Sequence, residues 1–240
     1  MATVNTQVVP KKVRESPKGK RCTISQIDML TLWADKGVFI NQRKIFLGSV
    51  ETDAESNESE VDAGMSKRFE IGMTILEYFS TKLPIKIIIN TRGGNAYHAL
   101  AIYDRIMDSP CFVTGQGTGY VMSAGILILQ ACDKRLLTRT ASVLMHNGTP
   151  LSVDNHHMNA ERTGDENKRL RALDEDIFLG QMIKKDPQMT REKVRELLLF
   201  DTYMDPVKAI RLGLADGLTP RTKHKRTRHP RVLTLDPSSK

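Results

Sequence analysis

The chain has only three cysteines, Cys22, Cys111 and Cys132. An odd set without metal-ligand spacing excludes a disulfide framework, and Cys111 and Cys132 sit in apolar contexts that read as buried thiols of a reducing compartment. No apolar run is long enough for a membrane span, and no basic-then-apolar start marks secretion, so the expected location is cytoplasmic. The glycine clusters Gly93-Gly94 and Gly115-Gln116-Gly117 lack the Lys-Ser or Lys-Thr ending of a phosphate loop, which leaves no ATP site in this chain. The acidic run from Glu51 to Asp62 lacks the order and central glycine of a calcium loop and reads as a solvated cap for the helix that follows. His156, His157 and Glu161 have no further cysteine or nearby histidine to complete a metal set. No cofactor is expected.

What is present begins with charge, and it is unevenly placed. Of the formal +8, residues 1–22 carry +5 and residues 219–240 carry +6, which leaves −3 for the body between them. These basic ends hold no aromatic side chain for base stacking and no reading module, so they are solubilising or assembly arms, and nucleic acid is not the expected partner. The division that follows is a basic tail over 1–22, one catalytic domain over 23–218 and a second basic tail over 219–240. Trp33, in the apolar stretch before Phe39, reads as the packing anchor of a short helix.

The organised centre runs from Ile85 to Asn147. Ile85-Lys86-Ile87-Ile88-Ile89-Asn90 is short and β-branched, a buried strand, and Gly93-Gly94 ends it. Apolar residues at Leu100, Ala101, Tyr103, Ile106 and Met107 then repeat at helical spacing. A second unit follows: Cys111 to Thr114 as strand, Gly115 to Tyr120 as a glycine-rich turn, and Val121 to Ala131 as a helix that contains Ser123. The strand Ser142 to Met145 ends on His146. Upstream, Lys44 to Gly48 reads as the first core strand and Met65 to Phe79 as a helix laid over the sheet. The class is α/β, built of crossover units. In such folds strand carboxyl ends and helix amino ends share one edge, where catalytic groups gather. Ser123 there is either a nucleophile near unpaired N–H groups or a small residue in a close helix contact, since Ala124 and Gly125 follow it.

These pieces resemble the proteolytic subunit of the Clp protease family. Ile89-Asn90-Thr91-Arg92-Gly93-Gly94 is similar to its oxyanion segment, Ala101-Ile102-Tyr103-Asp104 to the helix after it, Gly115-Gln116-Gly117 through Met122-Ser123-Ala124-Gly125 to its nucleophile segment, and Met145-His146 to the strand bearing its histidine. The likeness spans about Ile45 to Gly217 and includes Ala209 through Asp216. Arg92 stands where the family has proline, and Ala124 where methionine is common; neither change removes a backbone N–H.

The resemblance implies stacked β-β-α units, a plan shared with crotonase-like enzymes, and a protruding strand-helix handle at about 148–186. It implies Ser123 as nucleophile, His146 as base, and an oxyanion hole from Gly93, Gly94 and Ala124. A serine needs an imidazole to take its proton, and the imidazole needs a carboxylate to orient it. Asp201 matches the family's aspartate; Asp205, directly before Pro206, is the alternative and reads as a helix cap. The expected activity is serine endopeptidase cleavage of unfolded or extended polypeptides. From Asn167 to Lys184, Leu170, Leu173, Ile177, Phe178 and Met182 form a seam flanked by Lys168, Arg169, Arg171, Asp174, Glu175 and Asp176. In the resembled family this helix joins two heptameric rings into a chamber fed by a hexameric AAA+ unfoldase, which would be the only user of ATP. Lys86 stands where the family has an aromatic docking surface. The alternatives are a catalytically inactive subunit of a Clp-like ring and a crotonase-like acyl-thioester enzyme.

Overall fold

The computed structural model describes residues 24–48, 60–148 and 157–220, with the side chains of 157–160 left aside. The N-terminal tail, residues 221–240 of the C-terminal tail, Cys22, most of the acidic run, His156 and the expected handle strand lie outside the described residues.

The first helix, α1 (Gln26–Lys36), starts at Ser25, whose hydroxyl accepts from the Asp28 N–H, and stops at Gly37, whose φ of 67° suits a residue without Cβ. It carries Trp33, which packs edge-to-face on Phe39 with ring centroids 5.6 Å apart. Next come β1 (Val38–Phe39), β2 (Lys44–Leu47) and β3 (Glu60–Val61). α2 (Ala63–Phe79) is capped by Asp62, which accepts from the Met65 N–H, so the last residue of the acidic run does serve as a helix cap. Met65, Phe69, Met73 and Leu76 of α2 are fully buried at helical spacing, each adding roughly 1.5–3 kcal/mol of burial.

The central elements are β4 (Ile85–Thr91), β5 (Gly93–Gly94), α3 (Ala96–Met107), β6 (Val113–Met122), α4 (Ala124–Gln130), β7 (Lys134–Leu137) and β8 (Ser142–Met145). The chain closes with α5 (His157–Met182), α6 (Arg191–Leu199), β9 (Thr202–Met204), α7 (Pro206–Arg211) and β10 (Gly217–Leu218). Eight strands form one mixed sheet in the order β1-β2-β4-β6-β7-β10, with β8 on β6 and β9 on β8; β3 and β5 pair separately. The ladders β2-β4, β4-β6, β6-β7, β6-β8 and β7-β10 are parallel, whereas β1-β2 and β8-β9 are antiparallel.

One expectation is overturned here. The run Gly115 to Tyr120 is not a turn but the middle of β6, the longest strand described. Glycine disfavours strands, but this segment is laddered on both sides, by β4 and β7, and ladder bonds outweigh the local preference. The glycines serve packing instead: a Cβ on Gly115 would come 2.7 Å from both Cys132 Sγ and Leu129 Cδ1, the layer formed by α4 and its exit. Cys111 and Cys132 are buried free thiols, and burial pushes the Cys132 thiol up to about 12.

β6 is also a fork. Thr114 to Gly117 pair with β7, and Tyr120 to Met122 pair with β8. Between them Gly119 takes a φ of 57°, and Asn90 Oδ1 accepts from the Tyr120 N–H at 2.9 Å, where the β4-β6 register shifts. The fork delivers the end of β6 to one edge of the sheet, beside the end of β8. Arg135 of β7, a buried residue, donates to Gln130 Oε1, the Gly213 carbonyl and Asp216, which fastens the C-terminal turn to β7.

Candidate active site

Ser123 occupies the junction of β6 and α4 with φ 52° and ψ −119°, a left-handed backbone that a non-glycine residue adopts at a cost of about 1–3 kcal/mol. It is thus the residue before the helix, rather than inside it as its apolar neighbours suggest. Three bonds hold the conformation: the Ser123 N–H donates to the Leu144 carbonyl at 2.9 Å, and the Ser123 carbonyl accepts from the Ile126 and Leu127 N–H groups. A strained strand-to-helix turn of this kind raises the hydroxyl above the sheet edge.

His146 follows β8, the strand paired with the end of β6, and its Nε2 lies 2.8 Å from Ser123 Oγ. Its Nδ1 lies 3.1 Å from Asp201 Oδ1. The antiparallel β8-β9 register runs Val143↔Met204, Leu144↔Tyr203, Met145↔Thr202; one step further sets His146 opposite Asp201. A tautomer with its proton on Nδ1 satisfies both contacts, donating to the carboxylate and accepting from the serine. The Asn147 N–H donates to the Leu198 carbonyl, which pins the histidine segment to α6. Asp201 is not buried in the single chain: its side chain is 60% exposed against 26% for His146. Asp205 accepts from the Lys208 N–H at 2.7 Å and caps α7.

Gly93 lies directly against Ser123, with a φ of 114°, and a Cβ on it would meet Ser123 Cβ at 2.5 Å and the Ala124 nitrogen at 3.2 Å. Its own N–H donates to Thr91 Oγ1 at 3.1 Å, so in this structure Gly93 is spent on holding the turn. Gly94 lines the same cavity as Ser123 and Ala124, and Ala124, first residue of α4, has no intrahelical partner for its N–H. Arg92 places its guanidinium 4.8 Å above the Tyr120 ring, which draws the added charge to that ring at the rim.

The cavity encloses about 560 Å³ and is lined by α5 as well as by the Ser123 and His146 segments. There the apolar seam packs in part against the chain's own body, as its pattern allows. Phe178 and Met182 are buried in the chain's own core, and Leu173 is half-buried. Two of the flanking acids are not on a solvated face. Glu175 is buried, 7% exposed in its side chain, and is bound at 2.9 and 3.0 Å by Arg195 and at 3.3 Å by Arg191, which hold its carboxyl below the usual range. Asp176 is exposed and also pairs with Arg191. Asp174 lines the cavity, and burial pushes its carboxyl up to about 6. Asn90 and Thr91, members of the segment before Gly93, and Asp174, one of the charges flanking the seam, have parts in the site that the sequence does not single out, although Asp174 stands four residues from both Leu170 and Phe178.

Serine, histidine and aspartate in hydrogen-bonded order at a sheet edge are the constellation by which serine peptidases activate a hydroxyl. Comparison with known proteins gives the particular lineage. The Clp protease family model matches residues 36–222, and the chain belongs to that family, the proteolytic-subunit group of serine peptidases. It is 26% identical to the ATP-dependent Clp protease proteolytic subunit of Deinococcus radiodurans over 168 residues, 69% of this chain and 79% of that protein. It is 28% identical to proteolytic subunit 1 of Mycobacterium tuberculosis over 187 residues, 76% and 84% respectively. A solved ClpP1 mutant from Listeria monocytogenes shares the fold, with a TM-score of 0.62 at 20% identity over 76% of this chain and 94% of that one. No helix among the described residues is long and apolar enough to cross a membrane.

Proposed function

We propose that this chain is a serine endopeptidase that cuts unfolded or extended polypeptides through an acyl-enzyme, with Ser123 as nucleophile, His146 as base and Asp201 as orienter. The observation that carries the reading is His146, with Nε2 2.8 Å from Ser123 Oγ and Nδ1 3.1 Å from Asp201 Oδ1. In the first step Ser123 Oγ attacks the scissile carbonyl carbon as its proton passes to His146 Nε2, and Asp201 stabilises the imidazolium. The oxyanion that forms is held by main-chain N–H groups at Ala124 and Gly94, with Gly93 keeping the turn open for it. His146 then gives its proton to the leaving amine, the C–N bond breaks, and an ester to Ser123 remains. Water, deprotonated by the same nitrogen, attacks that ester and releases the second fragment.

The family match over 36–222 supports reading residues 23–218 as the catalytic domain and the basic ends as arms. The names of the relatives, subunits of ATP-dependent proteases, support work as a subunit beside an ATP-using partner; a chamber of two stacked heptameric rings fed by a hexameric unfoldase is what the family resemblance implies. Purified protein treated with a serine-directed fluorophosphonate is expected to gain one adduct at Ser123. Ser123→Ala is expected to abolish peptide cleavage while the particle mass is unchanged; full activity in that variant would sink the assignment.

A further inference from the structure

The three consecutive acids Asp174, Glu175 and Asp176 have different surroundings. Glu175 and Asp176 are taken by Arg191 and Arg195. Asp174, on the next face of α5, has no hydrogen bond or ion pair to any described residue, and burial is the sole cause of its raised pKa, with no neighbouring cation contributing. It looks into the cavity that also holds Ser123 and His146. Leu170 and Phe178, one turn to either side on the same stripe, are 8% and 3% exposed, and Leu127 of α4, 5% exposed, lines the same cavity.

The other charges that line the cavity do not answer it. Arg92 is drawn over Tyr120, and Glu60 is exposed and of the same sign. Arg171 lies on an exposed part of α5 and makes no ion pair with a described residue. A half-buried carboxylate beside Leu127, Leu170 and Phe178 with no partner among the described residues is unfavourable, and a sequence tolerates it at little gain unless a group from elsewhere completes it. The shape of the completing group follows from the walls. It needs an apolar stem to lie on Leu127, Leu170 and Phe178 and a cationic end to meet Asp174, which describes a lysine or arginine side chain.

We propose that this cavity receives the substrate side chain on the acyl side of the scissile bond, and that Asp174 is a specificity-determining residue that favours arginine or lysine there. The inference rests on the peptidase reading of Ser123 and deepens it.

The test uses the full-length assembled protein and four fluorogenic peptides that differ only at the residue before the scissile bond, with arginine, lysine, citrulline or leucine. Citrulline matches arginine in size and hydrogen bonding but carries no charge. The expected result is a kcat/KM at least about tenfold higher for arginine than for citrulline in the wild type. Asp174→Asn, which keeps the size of the side chain, is expected to bring that ratio near one, and Asp174→Glu to retain part of it. An arginine-to-citrulline ratio near one in the wild type would overturn the assignment, as would an Asp174→Asn variant that slows all four peptides equally. Absence of cleavage of every peptide together with absence of a Ser123 adduct would instead remove the peptidase reading, and this inference with it.

Discussion

Gly93 and Ser123 are in contact so close that the glycine has no room for a methyl group: a Cβ there would stand 2.5 Å from the Cβ of the serine and 3.0 Å from its hydroxyl oxygen. The left-handed φ of 114° at Gly93 adds a second barrier to any other residue. Gly93→Ala is expected to push the hydroxyl off its line to His146 and lower kcat/KM by about 100-fold, since a displacement near 1 Å at a reacting atom costs that much. Steady-state peptide kinetics, with circular dichroism to show that the fold is kept, would check it.

Asp174 makes a stability prediction independent of its proposed role. A carboxyl raised from 3.8 to about 6 corresponds to roughly 3 kcal/mol against the ionised form in a dry site, which solvent in the cavity reduces to about 1–2 kcal/mol. The folded chain holds this proton more tightly than the unfolded chain does, so the group's contribution falls as pH rises from about 4 to about 6 and stays unfavourable above. Asp174→Asn is expected to raise the melting temperature by roughly 3 °C at pH 7.5, with the difference vanishing near pH 4. Scanning calorimetry at the two pH values reads both halves.

The Glu175 cluster titrates with the opposite sign. Its carboxyl is held low by Arg195 first and then Arg191, so the stability it contributes is present above its ordinary pKa near 4.5 and is lost as pH falls through the depressed value. Arg195→Ala is expected to lower stability at pH 7, because Glu175 is buried although Arg195 is itself half exposed. The cost should shrink in acid. Urea titrations at pH 7 and pH 4 measure it, and activity should fall as well, since α6 carries the chain directly to Asp201.

On α5, Phe178 and Met182 are committed to the chain's own core, whereas Leu173 is half-buried. If α5 also joins opposing rings, Leu173→Glu sets a charge in a desolvated contact. A particle of about fourteen subunits should then divide into rings of about seven, the numbers that the family resemblance implies. Native mass spectrometry of the wild type and the variant decides between this and a chain that works as a monomer.

The parts of the fold written in the sequence are those where local pattern and tertiary role agree. Ile85 to Asn90 alternates and is β-branched, and it forms β4; the spacing of Leu100 to Met107 gives most of α3; Ser142 to Met145 is β8 to the residue. The glycine run of β6 was illegible because its conformation is imposed by two neighbouring strands that lie far along the chain. Ser123 reads as helical from its neighbours, but the left-handed turn depends on the Leu144 carbonyl and the pressure of Gly93. Helical spacing could list Asp174 and Glu175 as flanking charges but not say which way each flank faces. That depends on α4, α6 and the cavity between them. The carboxylate at Asp201 was reachable through its place in the family resemblance, whereas its exposure was not.

The fork in β6 has a consequence for fidelity of folding. A strand with one set of neighbours can slide by a residue and still satisfy a ladder, at the cost of turning every side chain to the wrong face. β6 is checked twice, by β7 along its first half and β8 along its second, and the two tests are offset by the kink at Gly119. A slipped register that satisfies one neighbour is misaligned with the other. The Ser123 hydroxyl at its tip therefore meets His146 only in a sheet that has closed in a single register.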